Sequence, residues 1–187
     1  MPRLFLGLEL PEPVKDRMLD WKADISGARW QRRDQLHLTL CFLGQLAPDR
    51  VPVVFRAMAD LDSDAFELQP VSVGCFGPSP RPRTLWAGVD PEEPVKALHQ
   101  EVTGRIRDAG LPVEVRPFTP HITLARFGRR AGGPVDAFLL DYREAAAPGF
   151  LVDRVSLFLS QTGDGGSHYQ VLAYFPLRQA HTTGPGC

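Results

Sequence analysis

The sequence predicts an α+β fold of two pseudo-symmetric lobes, whose antiparallel-rich sheets flank a central cleft. A strand-like motif of eight residues, called the repeated word below, occurs twice, as HLTLCFLG at 37–44 and as HITLARFG at 121–128. Strands alternate with amphipathic helices around each copy, and the turn sequence GDGG predicts a closing hairpin. Because the copies are too far apart for local pairing, we interpret them as equivalent strands in two halves of one domain, residues 1–177.

The first half of the chain predicts, in order, a strand, a helix, a short strand, the first motif strand, a second helix and a further strand. Their expected ranges are 3–10, 11–25, 28–32, 37–44, 49–61 and 66–76. The first helix opens on Pro11 and Pro13, since proline fits the first helical turn, where backbone N–H groups lack partners anyway. Apolar residues at helical spacing, ending with Ile25, form the stripe that faces the core.

The second half predicts a strand, a long helix, a strand, the second motif strand, a short helix and a two-stranded hairpin. Their expected ranges are 84–89, 92–109, 113–116, 121–128, 136–140, 150–160 and 168–177. The segment 77–83, GPSPRPR, has neither the periodicity of a helix nor that of a strand, and it predicts a surface loop. Its Arg81 and Arg83 are either solvated or in contact with substrate phosphates. The tail 178–187 has no core pattern, so we expect it to be disordered.

Alternation along the two motif strands divides their side chains between two faces. His37 and Thr39 share one face of the first strand, and His121 and Thr123 share one face of the second, while the apolar residues between them enter the core. Of two imidazoles, one can act as a general acid and the other as a general base near neutral pH. Two hydroxyls can hydrogen-bond the oxygens of a phosphate. A single H-x-T in a strand is usually structural, but the repeat indicates a phosphodiester substrate.

At these motifs the chain resembles the 2H phosphoesterase superfamily, which is defined by two H-x-T-x motifs. Within it, the likeness is to the RNA 2′,3′-cyclic phosphodiesterases, historically called 2′-5′ RNA ligases, over RLFLGLELP, LHLTLCFLG, RTLWAGV, PHITLARFG and LAYFPL. The resemblance implies hydrolysis of RNA 2′,3′-cyclic phosphate ends to 2′-phosphomonoesters without a metal, together with reversible 2′-5′ RNA ligation. It also implies that His37 donates a proton, that His121 accepts one, and that Thr39, Thr123 and Arg126 bind the substrate.

Arg126 departs from simple alternation. It lies five residues after His121, and an odd offset points a strand side chain to the opposite face. A β-bulge, or the end of the strand near Ala125, must therefore turn Arg126 towards the cleft. The first motif has Phe42 at the same offset, so the two halves are not chemically equivalent.

Amino-acid composition and the spacing of polar residues indicate which ligands the protein binds and in which cellular compartment it works. The net charge of −1 provides no general attraction for nucleic acid. Neither motif has a second histidine or a carboxylate at metal-ligand spacing, so we expect no metal and no cofactor. The three cysteines form no paired set and indicate reduced thiols. With no apolar segment of membrane length and no signal peptide, we expect a cytoplasmic monomer that acts on RNA ends or nucleotides bearing a 2′,3′-cyclic phosphate.

Two other functions fit the same motifs. One is a related phosphodiesterase that cleaves a small nucleotide or another phosphodiester, which a substrate panel would distinguish. The other is a non-catalytic RNA-binding module that keeps the groove, although binding alone needs no acid–base pair. His99 in the long helix and His168 in the hairpin are interpreted as structural.

Overall fold

The computed structural model describes residues 2–129 and 132–179. The strands are β1 (Arg3–Glu9), β2 (Ala28–Trp30), β3 (His37–Gln45), β4 (Phe66–Phe76), β5 (Thr84–Asp90), β6 (Ile122–Phe127), β7 (Phe150–Val152), β8 (Arg154–Gly163) and β9 (Gly166–Pro176). The α-helices are α1 (Glu12–Leu19), α2 (Val51–Ala57), α3 (Glu93–Asp108) and α4 (Asp136–Asp141). Short 3₁₀ turns at Arg33–Gln35 and Pro48–Arg50 precede β3 and α2. The α+β class is thereby confirmed.

The strands form one antiparallel sheet in the order β7-β4-β5-β6-β3-β1-β8-β9, with β2 alongside β6. Each motif strand is the innermost strand of its own half, because β6 and β3 are neighbours at the centre. The two halves meet there through one residue pair, Leu38 opposite Ile122. This arrangement places the two copies of the repeated word side by side.

The sheet is curled. Strand β7 lies at one end of the strand order and β8 lies close to the other end, yet only Asp153 separates them in the chain. One connecting residue spans no more than about 7 Å between its neighbours, so the two ends must approach each other. A second link joins the same ends, since the N–H of Ala65, just before β4, donates to the carbonyl of Arg178, just after β9, at 2.8 Å. The result is a half-barrel.

One face of the sheet carries the core. Helix α3 packs against β3 with the predicted stripe of Val95, Leu98, Val102 and Ile106, all fully buried. The apolar residues of both motifs enter the core as predicted, namely Leu38, Leu40, Ile122 and Leu124. The histidines and threonines of the motifs are therefore left on the opposite, cleft-facing side.

Strand β1 approaches the first motif so closely that it needs a glycine. Gly7 lies opposite Thr39, and a Cβ built at Gly7 would come within 2.6 Å of the carbonyl oxygen of Leu38. Any side chain here would separate β1 from β3 directly behind the motif.

The two short helices end earlier than their apolar patterns predict. Helix α1 stops at Leu19, and Trp21 reaches the core from the turn that follows rather than from a helical face. Helix α2 starts as a 3₁₀ turn and ends at Ala57, and the positive φ of 51° at Asp60 then reverses the chain. Trp21, Met58 and Leu61 are buried as expected, but from the turns that follow the two helices, whereas Phe55 on α2 is exposed.

Two strand predictions are wrong in informative ways. The segment 113–116 forms no strand, because prolines on either side withhold donors and because β5, β3 and β2 already occupy the edges of β6. The strand predicted at 150–160 is two strands, since β7 pairs with β4 whereas β8 pairs with β1 and β9. The hairpin at GDGG is confirmed, with Gly163 opposite Gly166. Residues 180–187, most of the predicted disordered tail, lie outside the described residues.

Candidate active site

Both motif histidines are held by a backbone carbonyl two residues earlier in the chain. The Nδ1–H of His37 donates to the carbonyl of Gln35 at 2.7 Å, and the Nδ1–H of His121 donates to the carbonyl of Thr119 at 2.7 Å. Because a carbonyl can only accept, Nδ1 holds the proton of each neutral ring and Nε2 is the basic nitrogen. In the first motif, the hydroxyl of Thr39 donates to the Nε2 of His37 at 2.9 Å. Each ring is thus oriented with Nε2 available for proton transfer.

The register between β3 and β6 brings the two motifs together. Leu38 pairs with Ile122, and in an antiparallel pair the residues on either side of that pair also face each other. His37 therefore lies on the side of Thr123, and His121 on the side of Thr39. His37 and His121 are thus diagonal neighbours, and the Cα atoms of such a pair lie roughly 7–8 Å apart in a regular sheet. The same face of the two strands thus carries two imidazoles and two hydroxyls as close neighbours.

A β-bulge in each motif strand turns the next side chains towards the cleft. On β6, Leu85 pairs with Ala125 while Trp86 pairs with Thr123, so Leu124 is the extra residue. On β3, Leu6 pairs with Cys41 while Gly7 pairs with Thr39, so Leu40 is the extra residue. The bulges occupy the same position in the repeated word, and burial along the two words is identical position by position. The bulge expected from the offset of Arg126 is present, and it lets Arg126 share the face of His121.

The carbonyls at the two bulges are bonded by donors from outside their strands. The carbonyl of Leu124 accepts from the backbone N–H of Gln31 at 2.8 Å. The carbonyl of Leu40 accepts from the Nδ1–H of His99 on α3, also at 2.8 Å. An unpaired buried carbonyl would be costly, so these bonds stabilise the two bulges. His99, interpreted from the sequence as structural, is therefore a neighbour of the first motif.

A cleft of about 660 Å³ opens beside the first motif. His37 and Arg126 line it together with Phe5, Phe42, Tyr169 and other residues from β1, β3, β9 and the segment 112–116. Of the described residues, His121 and the two motif threonines, Thr39 and Thr123, are not among those that line it, and neither are Arg81, Arg83 and His168. His168 instead pairs with Asp34 at 3.6 Å on the protein surface.

The surroundings of both imidazoles favour the neutral form. Burial, with smaller contributions from the positive charges of Arg126 and His121, lowers the pKa of His37 to about 4, against the hydrogen bond to the carbonyl of Gln35, which raises it. Burial also lowers the pKa of His121, with Arg126 again contributing. The burial comes from aromatic neighbours, since the ring of Phe5 lies 4.8 Å from that of His37 and the ring of Phe76 lies 4.8 Å from that of His121. Arg126 therefore acts electrostatically on both histidines.

Gln35 is a supporting residue that the sequence pattern does not reveal. Its carbonyl holds His37, its side-chain oxygen accepts from the N–H of Arg32 at 2.9 Å, and its side-chain nitrogen donates to the carbonyl of Ser167 at 2.9 Å. The buried amide thereby ties the turn before the first motif to the β8–β9 hairpin. The burial of Gln35 beside the motif is the signal that could have indicated this role. The sequence does not show that burial, because a single polar residue carries no periodic pattern.

Neither a metal-binding cluster nor a membrane-length helix occurs in the described residues. Within 2–129 and 132–179, no three His, Cys, Asp or Glu side chains come together as a metal ion would require. Over the same ranges, no helix combines the length and the apolar character needed to cross a bilayer. Cys41 is buried and Cys75 half-buried, and burial raises the pKa of both thiols.

A curled antiparallel sheet with one H-x-T motif at the centre of each half defines the class of two-histidine phosphoesterases. The chain belongs to the 2′-5′ RNA ligase superfamily, whose family model matches residues 10–164.

Several relatives are named RNA 2′,3′-cyclic phosphodiesterase. The one from Thermus thermophilus is 31% identical over 200 residues, covering 98% of this chain and 96% of the relative. The one from Escherichia coli is 27% identical over 182 residues, covering 95% of this chain and 97% of the relative. A third, from Geobacillus stearothermophilus, is 29% identical over 92% of this chain, which spans 56% of that longer relative.

Solved structures share the fold. A crystal structure of a protein from Thermus thermophilus superposes with a TM-score of 0.78 at 27% identity, covering 96% of this chain and 100% of that one. Escherichia coli LigT in complex with 3′-AMP superposes with a TM-score of 0.76 at 24% identity, covering 95% of this chain and 99% of that one.

Proposed function

We propose that this protein is an RNA 2′,3′-cyclic phosphodiesterase that opens the cyclic phosphate to a 2′-phosphomonoester. The observation that supports this most is the pair of imidazoles at the start of adjacent strands, each with Nδ1–H bonded to a carbonyl and with Nε2 left as the basic nitrogen. A binding module would not need two basic nitrogens held in this way. The names of the relatives point to the same substrate.

The proposed reaction is an in-line displacement at phosphorus. The Nε2 of His121 accepts a proton from a water molecule, whose oxygen forms the new bond to phosphorus. The bond from phosphorus to the ribose O3′ breaks, and the protonated Nε2 of His37 gives its proton to that oxygen. The products are a 2′-phosphate and a free 3′-hydroxyl, and the proton gained by His121 returns to His37 through solvent. The assignment of donor and acceptor follows the family resemblance.

Three side chains stabilise the charge that develops on the phosphoryl oxygens. Thr39 and Thr123 donate hydroxyl hydrogen bonds, and the guanidinium of Arg126 supplies a positive charge with a fork of donors. Both histidines are neutral near pH 7 in the free protein, because their pKa values are lowered. The anionic phosphodiester raises the pKa of an imidazole that it contacts, so His37 takes up from solvent, when the substrate binds, the proton that it later donates.

The same site permits ligation. When the 5′-hydroxyl of a second RNA takes the place of water, the same proton transfers join it to phosphorus and release O3′, which yields a 2′-5′ linkage. In the reverse direction the two histidines exchange their roles. We propose that the protein works as a cytoplasmic monomer without a metal or cofactor, and that its partners are RNA ends or nucleotides bearing a 2′,3′-cyclic phosphate.

Product mapping tests the proposal. The protein is incubated with a short RNA that ends in a 2′,3′-cyclic phosphate, and the position of the product phosphate is read by ³¹P NMR. We expect a 2′-phosphomonoester. A small-nucleotide phosphodiesterase would turn over cyclic mononucleotides but leave the RNA intact, and a binding module would bind the RNA with no turnover. A 3′-phosphate product would contradict the direction of ring opening.

A further inference from the structure

The position in the first motif that corresponds to Arg126 is occupied by Phe42. Both residues lie five positions after their histidine, and both follow a bulge at the fourth position of the word. Both are the exposed residue in otherwise identical burial patterns. The fold therefore presents two equivalent side chains to one cleft, one a guanidinium and the other a phenyl ring.

The ring of Phe42 is unusually open for a phenylalanine inside a concave site. Its side chain is 49% exposed, whereas Phe5 beside it is 2% exposed. Both line the cleft, with their ring centroids 5.9 Å apart and tilted by 50°. A large apolar surface left open in a cleft indicates a ligand contact. Phe5 already completes the packing beneath it, so the free face of Phe42 is available to a flat apolar group.

The neighbours of Phe42 fit a nucleotide. Arg3 and Arg116 line the same cleft and add positive charge around the ring, although Arg116 is paired with Glu114. The phenyl ring of Phe5 contacts both Phe42 and the imidazole of His37. Its centroid is 5.9 Å from the centroid of Phe42 and 4.8 Å from the centroid of the imidazole. One aromatic ring thus separates Phe42 from the imidazole, as one ribose separates the base of a nucleotide from its phosphate.

We propose that Phe42 is the platform on which the base of the terminal nucleotide stacks while its cyclic phosphate lies between His37, His121 and Arg126. This inference rests on the proposed function and adds a base-binding subsite to it. The ligand class is a ribonucleoside 2′,3′-cyclic phosphate rather than a sugar phosphate. Because every base offers a π face, the subsite accepts all four bases and reads no sequence.

A comparison of two substrates tests the subsite. Adenosine 2′,3′-cyclic phosphate is compared with the same cyclic phosphate on 1-deoxyribose, which lacks the base, and kcat/KM is measured for each. We expect the native protein to prefer the nucleotide by about ten- to a hundredfold, as stacking on an aromatic side chain predicts. In Phe42→Ala this ratio falls close to one, and in Phe42→Trp it is retained.

The matched control is Phe55→Ala. Phe55 is a comparably exposed phenylalanine, at 41%, but it lies on α2 and packs against Phe175, away from the cleft. This variant should keep the native ratio. If Phe42→Ala slowed both substrates equally and kept the ratio, the ring would be structural and the subsite would be overturned.

A binding measurement separates this inference from the proposed function. The affinities of adenosine 2′-phosphate and 1-deoxyribose 2-phosphate are determined by calorimetry for the native protein and for Phe42→Ala. If neither cyclic phosphate were hydrolysed, the proposed function would fail, yet a base-dependent affinity that disappears in Phe42→Ala would still support the subsite. Equal loss of affinity for both compounds would refute it.

Discussion

The ring of His99 lies flat against the ring of Phe118, with centroids 3.8 Å apart and planes 6° from parallel. The same imidazole donates through Nδ1–H to the carbonyl of Leu40, the bulge residue of the first motif. Leu40 follows His37 by three residues, and Phe118 precedes His121 by three. One side chain of α3 therefore contacts the segments that orient both histidines.

Two substitutions separate the two contacts of His99. His99→Phe keeps a flat ring against Phe118 but leaves the carbonyl of Leu40 unbonded, which should cost about 1–3 kcal/mol of unfolding free energy. His99→Asn keeps a donor and loses the stack. We expect His99→Phe to lower kcat more than His99→Asn, because the bulge re-aims the cleft face of the first motif. Urea unfolding and steady-state kinetics measure the two effects, and a His99→Phe variant as stable and active as the native protein would refute the role.

Replacement of either motif histidine should remove most of the activity. Proton transfer by a positioned group contributes about 10²–10⁴ in rate, so His37→Ala and His121→Ala should each lower kcat by that factor. Circular dichroism and thermal melting serve as controls for folding. A variant that turned over a good substrate at nearly the native rate would deprive its histidine of the assigned role.

The pH dependence of kcat/KM should be a bell with its maximum on the acid side. One imidazole must be neutral and the other protonated, so the active form is most abundant between the two pKa values. Both are lowered from the ordinary 6.5, that of His37 to about 4, which puts the optimum between about pH 4 and 6.5. The limbs report the coupled pair rather than single residues. Two histidines that only bound phosphate would give activity that falls steadily as pH rises.

Arg126 provides the matched test of this electrostatic interpretation. Its positive charge lowers the pKa of both histidines, so Arg126→Gln should raise both pKa values and move both limbs of the bell to higher pH. The same variant should lose about 10²–10³ in kcat, the usual cost of one charge-stabilising donor. Arg126→Lys keeps the charge, and its limbs should stay near their native positions. Limbs that did not move in Arg126→Gln would show that the guanidinium does not act on the histidines.

Gly7→Ala should destabilise the protein from behind the first motif. The new Cβ would lie 2.6 Å from a backbone oxygen of Leu38, which cannot move aside without separating β1 from β3. Overpacking of this kind costs about 1–3 kcal/mol. The control is Gly104→Ala on α3, where a Cβ meets nothing within 4 Å and the helix should gain about 1 kcal/mol. Equal unfolding free energies for the two variants would contradict the close approach.

Chelation should leave the activity intact. Neither motif has a ligand at metal spacing, and the described residues form no cluster of three metal-binding side chains. Turnover is measured before and after dialysis against EDTA. Loss of activity that a divalent ion restores would overturn the proposed metal-free mechanism.

The two motif strands could be predicted from the sequence because their information is local. Alternation sorts His37 and Thr39 from Leu38 and Leu40, and the same applies to the second word. The bulge at Leu124 was one of two alternatives, the other being the end of the strand near Ala125, that the resemblance required for Arg126 to share a face with His121. The long helix followed in the same way from an unbroken apolar stripe.

The features that could not be predicted depend on partners distant in the chain. The segment 113–116 alternates like a strand but finds no open edge, and the apolar run 150–160 divides at Asp153 because its two parts join different ends of the sheet. Gln35 and His99 acquire their roles only from groups that the fold brings to them, the carbonyls of Ser167 and Leu40. Periodicity describes a side chain's face and says nothing about such neighbours.

The pair of Leu38 and Ile122 is the pivot between the two halves of the sheet, and it lies directly beside the two motif histidines. Each histidine is one residue from this pivot, a lever of about 3.3 Å. A swing of about 10° between the two halves would therefore displace the Cα atoms of the two histidines by only about 0.6 Å. The gap crossed by the two protons thus depends little on how the far ends of the sheet, which are joined through Asp153, shift against each other.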